Sequence, residues 1–185
     1  MVINTRQPLL ALCFDCGDTL ADEGSEVKDT RGVTLRADLI PGAAEVVREL
    51  KRLGYPLALV ADGPAATFTN ILTHYDLYDC FAAFAISEEV GVEKPHPRIF
   101  IHALDQLGIR REEYGRVMMV GNNLARDVKG ANALGLISVW LDWAPRRAKT
   151  PADASEVPQY TVKTLEALLR LIQELNDAAE PAPAR

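Results

Sequence analysis

Apolar runs and amphipathic segments alternate along most of the chain. Short apolar runs have the length expected of strands that are buried on both faces; they cover residues 9–14, 57–61, 81–86, 117–120 and 136–141. Other segments place apolar residues at helical spacing; they cover residues 43–53, 64–75, 97–107, 124–134 and 165–175. Strands that alternate with helices predict βαβ units and a mostly parallel sheet flanked by helices.

Two stretches interrupt this alternation. Residues 16–40 carry many charges and few apolar side chains, which predicts a loop or a small flap. Residues 144–158 contain three prolines and are interpreted as a surface excursion. We therefore predict one α/β core domain over residues 9–175, with an N-terminal extension at 1–8 and a disordered tail at 176–185.

Composition narrows the possible partners and the compartment. The chain has 185 residues, of which 48% are hydrophobic, and its formal net charge is -6 without a basic stripe. This charge argues against nucleic acid as a partner. No apolar run approaches the roughly 20 residues of a membrane span, and residues 1–8 have no signal-peptide core. We expect a cytoplasmic protein with no membrane partner.

Three cysteines are too few for a disulfide scaffold. Cys13 and Cys16 have a Cys-x-x-Cys spacing, but a redox pair begins a helix, and this pair straddles the end of a predicted strand. We therefore predict that Cys13 packs in the core.

Polar residues collect at one predicted edge of the sheet. In such folds the ligand site lies beyond the carboxyl ends of the strands. The residues that follow strands or precede helices there are Asp15, Asp62, Gly63, Lys94, Asn122 and Asp127. A carboxylate fixed at a strand end, such as Asp15, can act as a nucleophile. A nearby lysine, Lys94, would keep that carboxylate ionised and neutralise an anionic substrate.

Oxygen ligands at the same edge suit Mg²⁺. The carboxylates of Asp15 and Asp127 and the side chain of Asn122 are hard ligands, and Mg²⁺ bridges phosphate to protein. Backbone N–H groups near Asp62 and Gly63, at the start of a predicted helix, would hold an anion. This set of groups predicts phosphoryl transfer to an aspartate.

Four short motifs, in order, resemble those of the haloacid dehalogenase superfamily. The run Phe-Asp-Cys-Gly-Asp-Thr-Leu at 14–20 is similar to the family's first motif, Asp-x-Asp-Gly-Thr-Leu. Segments 57–63, 91–100 and 120–128 resemble the second, third and fourth motifs, and 160–169 resembles the usual end of the domain. One motif alone is a weak signal, whereas four in order are specific.

The resemblance implies a three-layer Rossmann-like fold and a Mg²⁺-dependent phosphomonoester phosphatase that forms an aspartyl-phosphate. Asp15 would be the nucleophile and Lys94 the charge-stabilising lysine. Asp15, the backbone carbonyl of Gly17, Asn122 and Asp127 would bind Mg²⁺.

The chain departs from the family pattern next to the nucleophile. The family's phosphatases place an acid/base aspartate two residues after it, where this chain has Gly17. Such a proton donor contributes about 10²–10⁴-fold in rate. Asp18, one residue further on, is a candidate for the missing catalytic acid. The alternative interpretation is that Asp18 is a turn residue.

Three other positions differ from the family pattern. The phosphate-binding segment implied by the resemblance comprises Ala61, Asp62 and Gly63, together with Lys94. Ala61 replaces a serine or threonine and so lacks a hydroxyl donor, while Asp62 stands where asparagine is common. Asn122 replaces an acidic metal ligand and should bind Mg²⁺ more weakly.

A short flap region predicts an open site. About twenty residues, 21–40, separate the first motif from Pro41, so we expect no sizeable cap domain. An open site fits a phosphorylated small molecule or a larger phospho-substrate, and a homo-oligomer would supply a missing wall. Trp143, Arg146 and Arg147 could line the site, form an oligomer contact or lie on a surface loop.

Three functions remain open from the sequence. The first is a phosphatase whose activity is impaired or unusual because position 17 is glycine. The second is a binding or regulatory protein that kept the fold and lost the chemistry. The third is a hydrolase that uses Asp15 on carbon instead of phosphorus, which the missing cap argues against.

Overall fold

The computed structural model describes residues 9–177. The strands are β1 (Ala11–Phe14), β2 (Val27–Lys28), β3 (Thr34–Arg36), β4 (Leu57–Ala61), β5 (Ala83–Ile86), β6 (Val117–Gly121), β7 (Ile137–Leu141) and β8 (Tyr160–Val162). The helices are α1 (Ala43–Arg52), α2 (Ala65–His74), α3 (Ser87–Val90), α4 (Pro97–Gln106), α5 (Lys129–Leu134) and α6 (Leu165–Asp177). The predicted extension at 1–8 lies outside the described residues.

The central sheet has six strands in the order β5-β4-β1-β6-β7-β8. Every pairing between neighbours is parallel, which confirms the predicted sheet. The chain adds β4 and β5 on one side of β1 and then β6, β7 and β8 on the other. The order therefore reverses at β1, and in open α/β sheets ligands bind at such a switch point.

Helices cover both faces of the sheet because the strand residues alternate between two cores. Leu12 and Phe14 of β1 belong to the core formed with α1, α2 and α6. Ala11 and Cys13 belong to the core formed with α4 and α5. The predicted three-layer arrangement is confirmed, and no sizeable cap domain is present within residues 9–177.

The region between β1 and α1 forms a small flap that contains an antiparallel hairpin, β2–β3. The hairpin packs on α2, where the N–H of Thr34 donates to Thr67 Oγ1 at 3.0 Å and Asn70 Nδ2 donates to the Thr34 carbonyl at 2.9 Å. Val27 and Leu35 are 44% and 52% exposed. The hairpin therefore adds little to the core.

Helix α6 continues two residues beyond the end that the sequence predicts. Residues 176 and 177, assigned to the predicted tail, belong to α6, and the rest of that tail lies outside the described residues. Asn176 Oδ1 accepts from the N–H of Leu9 at 3.3 Å, and its Nδ2 donates to the Tyr55 hydroxyl. These bonds join both ends of the domain to its body.

Cys13 and Cys16 are each 1% exposed and carry free thiols. Burial raises the pKa of Cys13 to about 12 and also raises that of Cys16. Both thiols therefore stay neutral near pH 7, as expected of core cysteines. Within the described part of the chain, no helix combines the length and hydropathy that crossing a membrane requires.

Candidate active site

Asp15 lies at the centre of the sheet's carboxyl edge. It directly follows β1, and its N–H donates to the carbonyl of Val120 on β6 at 2.9 Å, which extends the strand pairing by one residue. Its side chain is 12% exposed. Oδ1 accepts a hydrogen bond from Lys94 Nζ at 2.7 Å, and Oδ2 accepts a longer one from Thr19 Oγ1 at 3.4 Å. The carboxylate is thus held in place at the bottom of a cleft.

The ammonium of Lys94 is buried between two carboxylates. Nζ lies 2.7 Å from Asp15 Oδ1 and 2.8 Å from Asp127 Oδ1, and it donates to the Val60 carbonyl at 2.9 Å. Burial alone lowers the pKa of Lys94, but the carboxylates of Asp127, Asp15 and Asp62 outweigh this effect and raise it above its ordinary value. Lys94 therefore stays protonated; its ammonium donates hydrogen bonds to Asp15 Oδ1 and the Val60 carbonyl and forms an ion pair with Asp127.

Asp127 is positioned by a widened helical turn. The backbone forms one π-type turn, Leu124–Val128, before α5 begins, where the sequence predicts a regular helix from residue 124. The carbonyl of Asn123 accepts from the N–H groups of three residues, Arg126, Asp127 and Val128. Asp127 Oδ2 in turn accepts from the Asn123 N–H at 2.9 Å. The turn therefore directs this carboxylate back toward the sheet.

The buried position of Asp127 depends on a glycine at the end of β6. A Cβ atom on Gly121 would lie 2.2 Å from Asp127 Oδ2, so any side chain there would displace the carboxylate. Asp127 is 1% exposed. Burial raises its pKa, and the ammonium of Lys94 opposes that rise. Oδ2 accepts the Asn123 N–H, whereas Oδ1 pairs with the Lys94 ammonium by charge and has no hydrogen-bond partner within residues 9–177. Asp127 is thus the counter-ion of Lys94, and its assignment as a Mg²⁺ ligand stays a prediction.

Asp62 supports the lysine loop. Its Oδ1 accepts from the backbone N–H of Lys94 at 2.9 Å, and its Oδ2 pairs with Arg126 Nη1 at 3.0 Å. The guanidinium thus balances the charge that aspartate adds at this position. The N–H of Gly63, which the sequence predicts to hold phosphate, donates instead to Ser87 Oγ at 2.9 Å, because Ser87 follows β5, the neighbour of β4.

Asp18 does not join this group. Its side chain is fully buried and lies 3.2 Å from Arg146 Nε and 3.6 Å from Arg147 Nε. Its Oδ1 accepts from the N–H of Glu23 at 3.1 Å. Asp18 adopts a left-handed backbone conformation with a φ of 52°, which aspartate tolerates in turns. The geometry makes Asp18 a turn residue that attaches the flap to the loop after β7.

Glu23 of the flap places its carboxyl beside Gly17. A Cβ atom on Gly17 would lie 2.2 Å from Glu23 Oε1. The other oxygen, Oε2, pairs with Arg147 Nη2 at 2.5 Å. Burial raises the pKa of Glu23, Arg147 opposes this, and the carboxylates of Asp18 and Asp15 add to it. No sequence spacing marks Glu23, and the only signal is the missing side chain at position 17.

These residues surround a cleft of about 270 Å³ at the switch point. Its charged and polar lining comes from the loops after β1, β4 and β6 and from the flap: Asp15, Glu23, Glu26, Lys28, Asp62, Asn122, Asn123, Arg126 and Arg147. The volume suits a small organic compound. Lys28, Arg126 and Arg147 provide the cationic groups that an anionic substrate would meet.

Oxygen donors at the cleft fit Mg²⁺. Asp15, the Gly17 carbonyl and the Asn122 side chain line or border the cleft, and Mg²⁺ is commonly held by one or two carboxylates with water and substrate phosphate. Asn122 is 2% exposed, and its Nδ2 has no hydrogen-bond partner within residues 9–177. Such an orphaned buried donor suits a phosphate oxygen beside the metal. No group of three His, Cys, Asp or Glu side chains suited to a metal occurs within these residues.

The structure thus brings together most of the residues that the sequence singles out. Asp15, Lys94, Asp62 and Asn122 meet at the cleft, with Asp127 directly behind them. Asp18 faces the arginines, and Ala61 is 1% exposed at the end of β4. Trp143 packs partly buried against the core. Sequence reasoning missed Glu23 and the Asp62–Arg126 pair, because both depend on contacts between distant segments.

The fold and the site define a Rossmann-like α/β domain with an aspartate at its switch point. A family model described as haloacid dehalogenase-like hydrolase matches residues 22–135. The chain belongs to this family.

Relatives of known name agree with this membership. A glyceraldehyde 3-phosphate phosphatase from Methanopyrus kandleri is 32% identical over 73% of this chain and 57% of its own length. A phosphoserine phosphatase from Thermus thermophilus is 36% identical over 70% of this chain and 49% of its own length. The chain therefore spans about half the length of these curated relatives. The crystal structure of the HAD-hydrolase YfnB from Bacillus subtilis shares the fold, with a TM-score of 0.72 and 18% identity over 90% of this chain and 99% of that one.

Proposed function

We propose that this protein is a Mg²⁺-dependent phosphomonoester phosphatase that acts through an aspartyl-phosphate on Asp15. One observation carries the proposal: at the switch point, a cleft-facing carboxylate is fixed by a buried ammonium 2.7 Å away. Lys94 holds the Asp15 carboxylate in place for attack on phosphorus, and the carboxylate of Asp127 helps to keep Lys94 charged. Bound Mg²⁺ would neutralise phosphate charge and hold the ester against the nucleophile.

The protein's own groups support both half-reactions. Asp15 would attack phosphorus through Oδ2, the oxygen that Lys94 does not contact. The Asn122 amide would donate to a phosphate oxygen, and Asp62 would keep the Lys94 loop in place. Water would then attack the aspartyl-phosphate and release inorganic phosphate, which returns the Asp15 carboxylate.

The substrate we propose is a small phosphorylated compound. Two named relatives are phosphatases of a triose phosphate and of phosphoserine. The cleft of about 270 Å³ is compatible with molecules of that size. The flap borders the cleft on one side without enclosing it, so a larger phospho-substrate is the alternative.

A binding protein without turnover is the second candidate, and the metal donors favour it. Asn122 is neutral where an acidic side chain would bind the metal more tightly, which predicts weaker Mg²⁺ binding than an additional carboxylate would give. This candidate predicts that phosphate ligands bind without being hydrolysed.

The test is a panel of phosphomonoesters assayed for phosphate release with Mg²⁺, with wild type beside Asp15→Asn. Turnover that Asp15→Asn abolishes supports the phosphatase. Binding of inorganic phosphate without turnover across the panel supports the second candidate. Halide release from 2-halo acids, assayed in parallel, would instead indicate attack on carbon.

A further inference from the structure

Hydrolysis of an alkyl phosphate needs a proton donor, a role that the proposed function has not assigned to any residue. When Asp15 attacks phosphorus, the bond to the ester oxygen breaks, and that oxygen leaves as a poor alkoxide unless it receives a proton. Asp15 is the nucleophile, and the Lys94 ammonium is held by two hydrogen bonds and an ion pair with Asp127. Another group that faces the cleft must provide the proton.

The cleft offers few carboxyl groups for this task. Besides Asp15, those that line it are Asp62, Glu23 and Glu26. Both oxygens of Asp62 and both oxygens of Glu26 are engaged by neighbouring donors. Glu23 is engaged at Oε2 alone, and within residues 9–177 its Oε1 has no donor. Glu23 is therefore the carboxyl with an oxygen free to exchange a proton.

The position of that oxygen is defined by its contact with Gly17. A side chain at position 17 would begin 2.2 Å from Glu23 Oε1, so the glutamate carboxyl occupies the space that such a side chain would fill. Position 17 follows the nucleophile by two residues, and both Gly17 and Glu23 line the cleft with Asp15. The Arg147 contact holds the glutamate side chain in this orientation.

We propose that Glu23 is the general acid and base of this phosphatase, reaching the active site from the flap. The inference rests on the proposed function. In the first step, Asp15 forms a bond to phosphorus, the bond to the ester oxygen breaks, and the Glu23 carboxyl gives its proton to that oxygen, so the alcohol leaves neutral. In the second step, Glu23 takes a proton from water as the water oxygen bonds to phosphorus and the bond to Asp15 breaks.

The test compares leaving groups. We measure kcat/KM, which reports phosphorylation of Asp15, for Glu23→Gln with 4-nitrophenyl phosphate and with the alkyl phosphate that wild type hydrolyses fastest. The alkyl ester should lose about 10²-fold or more, whereas 4-nitrophenolate leaves without a proton and its ester should lose less than about tenfold. Since the second step also slows, 4-nitrophenol should appear as a burst of one equivalent per active site.

Two further variants distinguish chemistry from flap structure. Asp22→Asn is the matched control, because it alters another ion pair between the flap and the same loop, Asp22 with Arg146 at 2.6 Å, and it should change kcat/KM less than about twofold. In Glu23→Ala, a second change, Gly17→Asp, returns a carboxyl to the vacated space and should recover kcat/KM for the alkyl ester at least about tenfold.

Several outcomes would overturn the proposal. An equal loss of kcat/KM for both esters in Glu23→Gln, or a loss matched by Asp22→Asn, would mean that Glu23 only stabilises the flap. Wild-type turnover that Asp15→Asn abolishes and Glu23→Gln leaves intact would overturn this inference and leave the phosphatase standing. Absence of wild-type turnover across the ester panel would overturn both.

Discussion

Replacing Lys94 with methionine removes the ammonium and keeps most of the side-chain volume. The variant leaves Asp127, which is 1% exposed, and Asp15, at 12%, without their shared cation. Breaking a buried ion pair from one side is strongly destabilising, because the remaining charge stays buried without a partner. We therefore expect this change to lower the stability of the fold as well as abolish the proposed phosphatase activity.

The distance between Lys94 and Asp127 gives the expected loss in the free energy of unfolding. At 2.8 Å and an effective dielectric constant of about 20, the contact between Lys94 and Asp127 is worth about 6 kcal/mol of Coulomb attraction. Burial of the two charges offsets part of this, so the expected loss is about 3–5 kcal/mol. For a domain of this size, that loss corresponds to a fall in Tm of about 6–20 °C. The deficit should shrink at lower pH, because protonation removes the unpaired charge of Asp127.

The assay is urea-induced unfolding at pH 7, followed by circular dichroism. Lys149→Met is the matched control: it breaks the exposed contact of Lys149 with Asp142 at 2.5 Å and should change the free energy of unfolding by about 0–1 kcal/mol. Lys94→Met combined with Asp127→Asn should lose less stability than Lys94→Met alone. If Lys94→Met and Lys149→Met lose the same amount, the argument from a buried charge pair is refuted.

Three further predictions concern the same edge of the sheet and the thiols. Gly121→Ala should lower the free energy of unfolding by about 1–3 kcal/mol, measured by urea titration, because its Cβ would lie 2.2 Å from Asp127 Oδ2. Asn122→Asp should lower the Mg²⁺ concentration for half-maximal turnover about tenfold, since it adds a charged ligand. In the native protein, a thiol reagent at pH 7 should modify the partly buried Cys80 well before the two core cysteines, as mass spectrometry would record.

Each of these predictions has a matched comparison. Gly115→Ala would place its Cβ 3.8 Å from the nearest atom, which is ordinary contact, and should change stability by less than about 0.5 kcal/mol. A similar loss in Gly121→Ala and Gly115→Ala would contradict the close-approach argument. An unchanged Mg²⁺ requirement in Asn122→Asp would remove Asn122 from the metal site. Equal labelling rates for all three native thiols would contradict the burial of Cys13 and Cys16.

The parallel sheet was predictable because its strands are short apolar runs bounded by turn residues. The segment Leu57–Ala61 is all apolar and is a strand over that same range. The clustering of the polar residues was predictable for a related reason, since parallel strands bring the residues that follow them to one edge. Asp15 and Asn122 are neighbours for this reason alone, although they are far apart in sequence.

Other elements depend on contacts that local sequence does not encode. The hairpin β2–β3 has exposed apolar residues and is held by hydrogen bonds to α2, so no hydrophobic period marks it. The strand β8 has three residues, Tyr160–Val162, and forms by pairing with β7. The π-type turn at 124–128 reflects how the carbonyl of Asn123 is shared, and sequence periodicity does not distinguish it from a helix.

The sequence singles out the residues around Asp15 but does not reveal the contacts made by the flap. Lys94 and Asp127 follow from their motifs, but the function of Asp18 could not be read from the sequence, because its carboxylate is directed by arginines more than a hundred residues away. Glu23 escaped notice for the same reason. The Glu23 carboxyl occupies the space that a side chain at position 17 would fill, and this contact is seen only in the folded structure.

The arginines after β7 couple the sequence of the flap to that of a distant loop. Arg146 contacts Asp18 and Asp22, and Arg147 contacts Asp18 and Glu23, across separations of more than 120 residues. A descendant that exchanged its flap for a longer insertion would leave both guanidinium groups without their carboxylate partners. Substitutions in one segment should therefore be followed through evolution by compensating changes in the other.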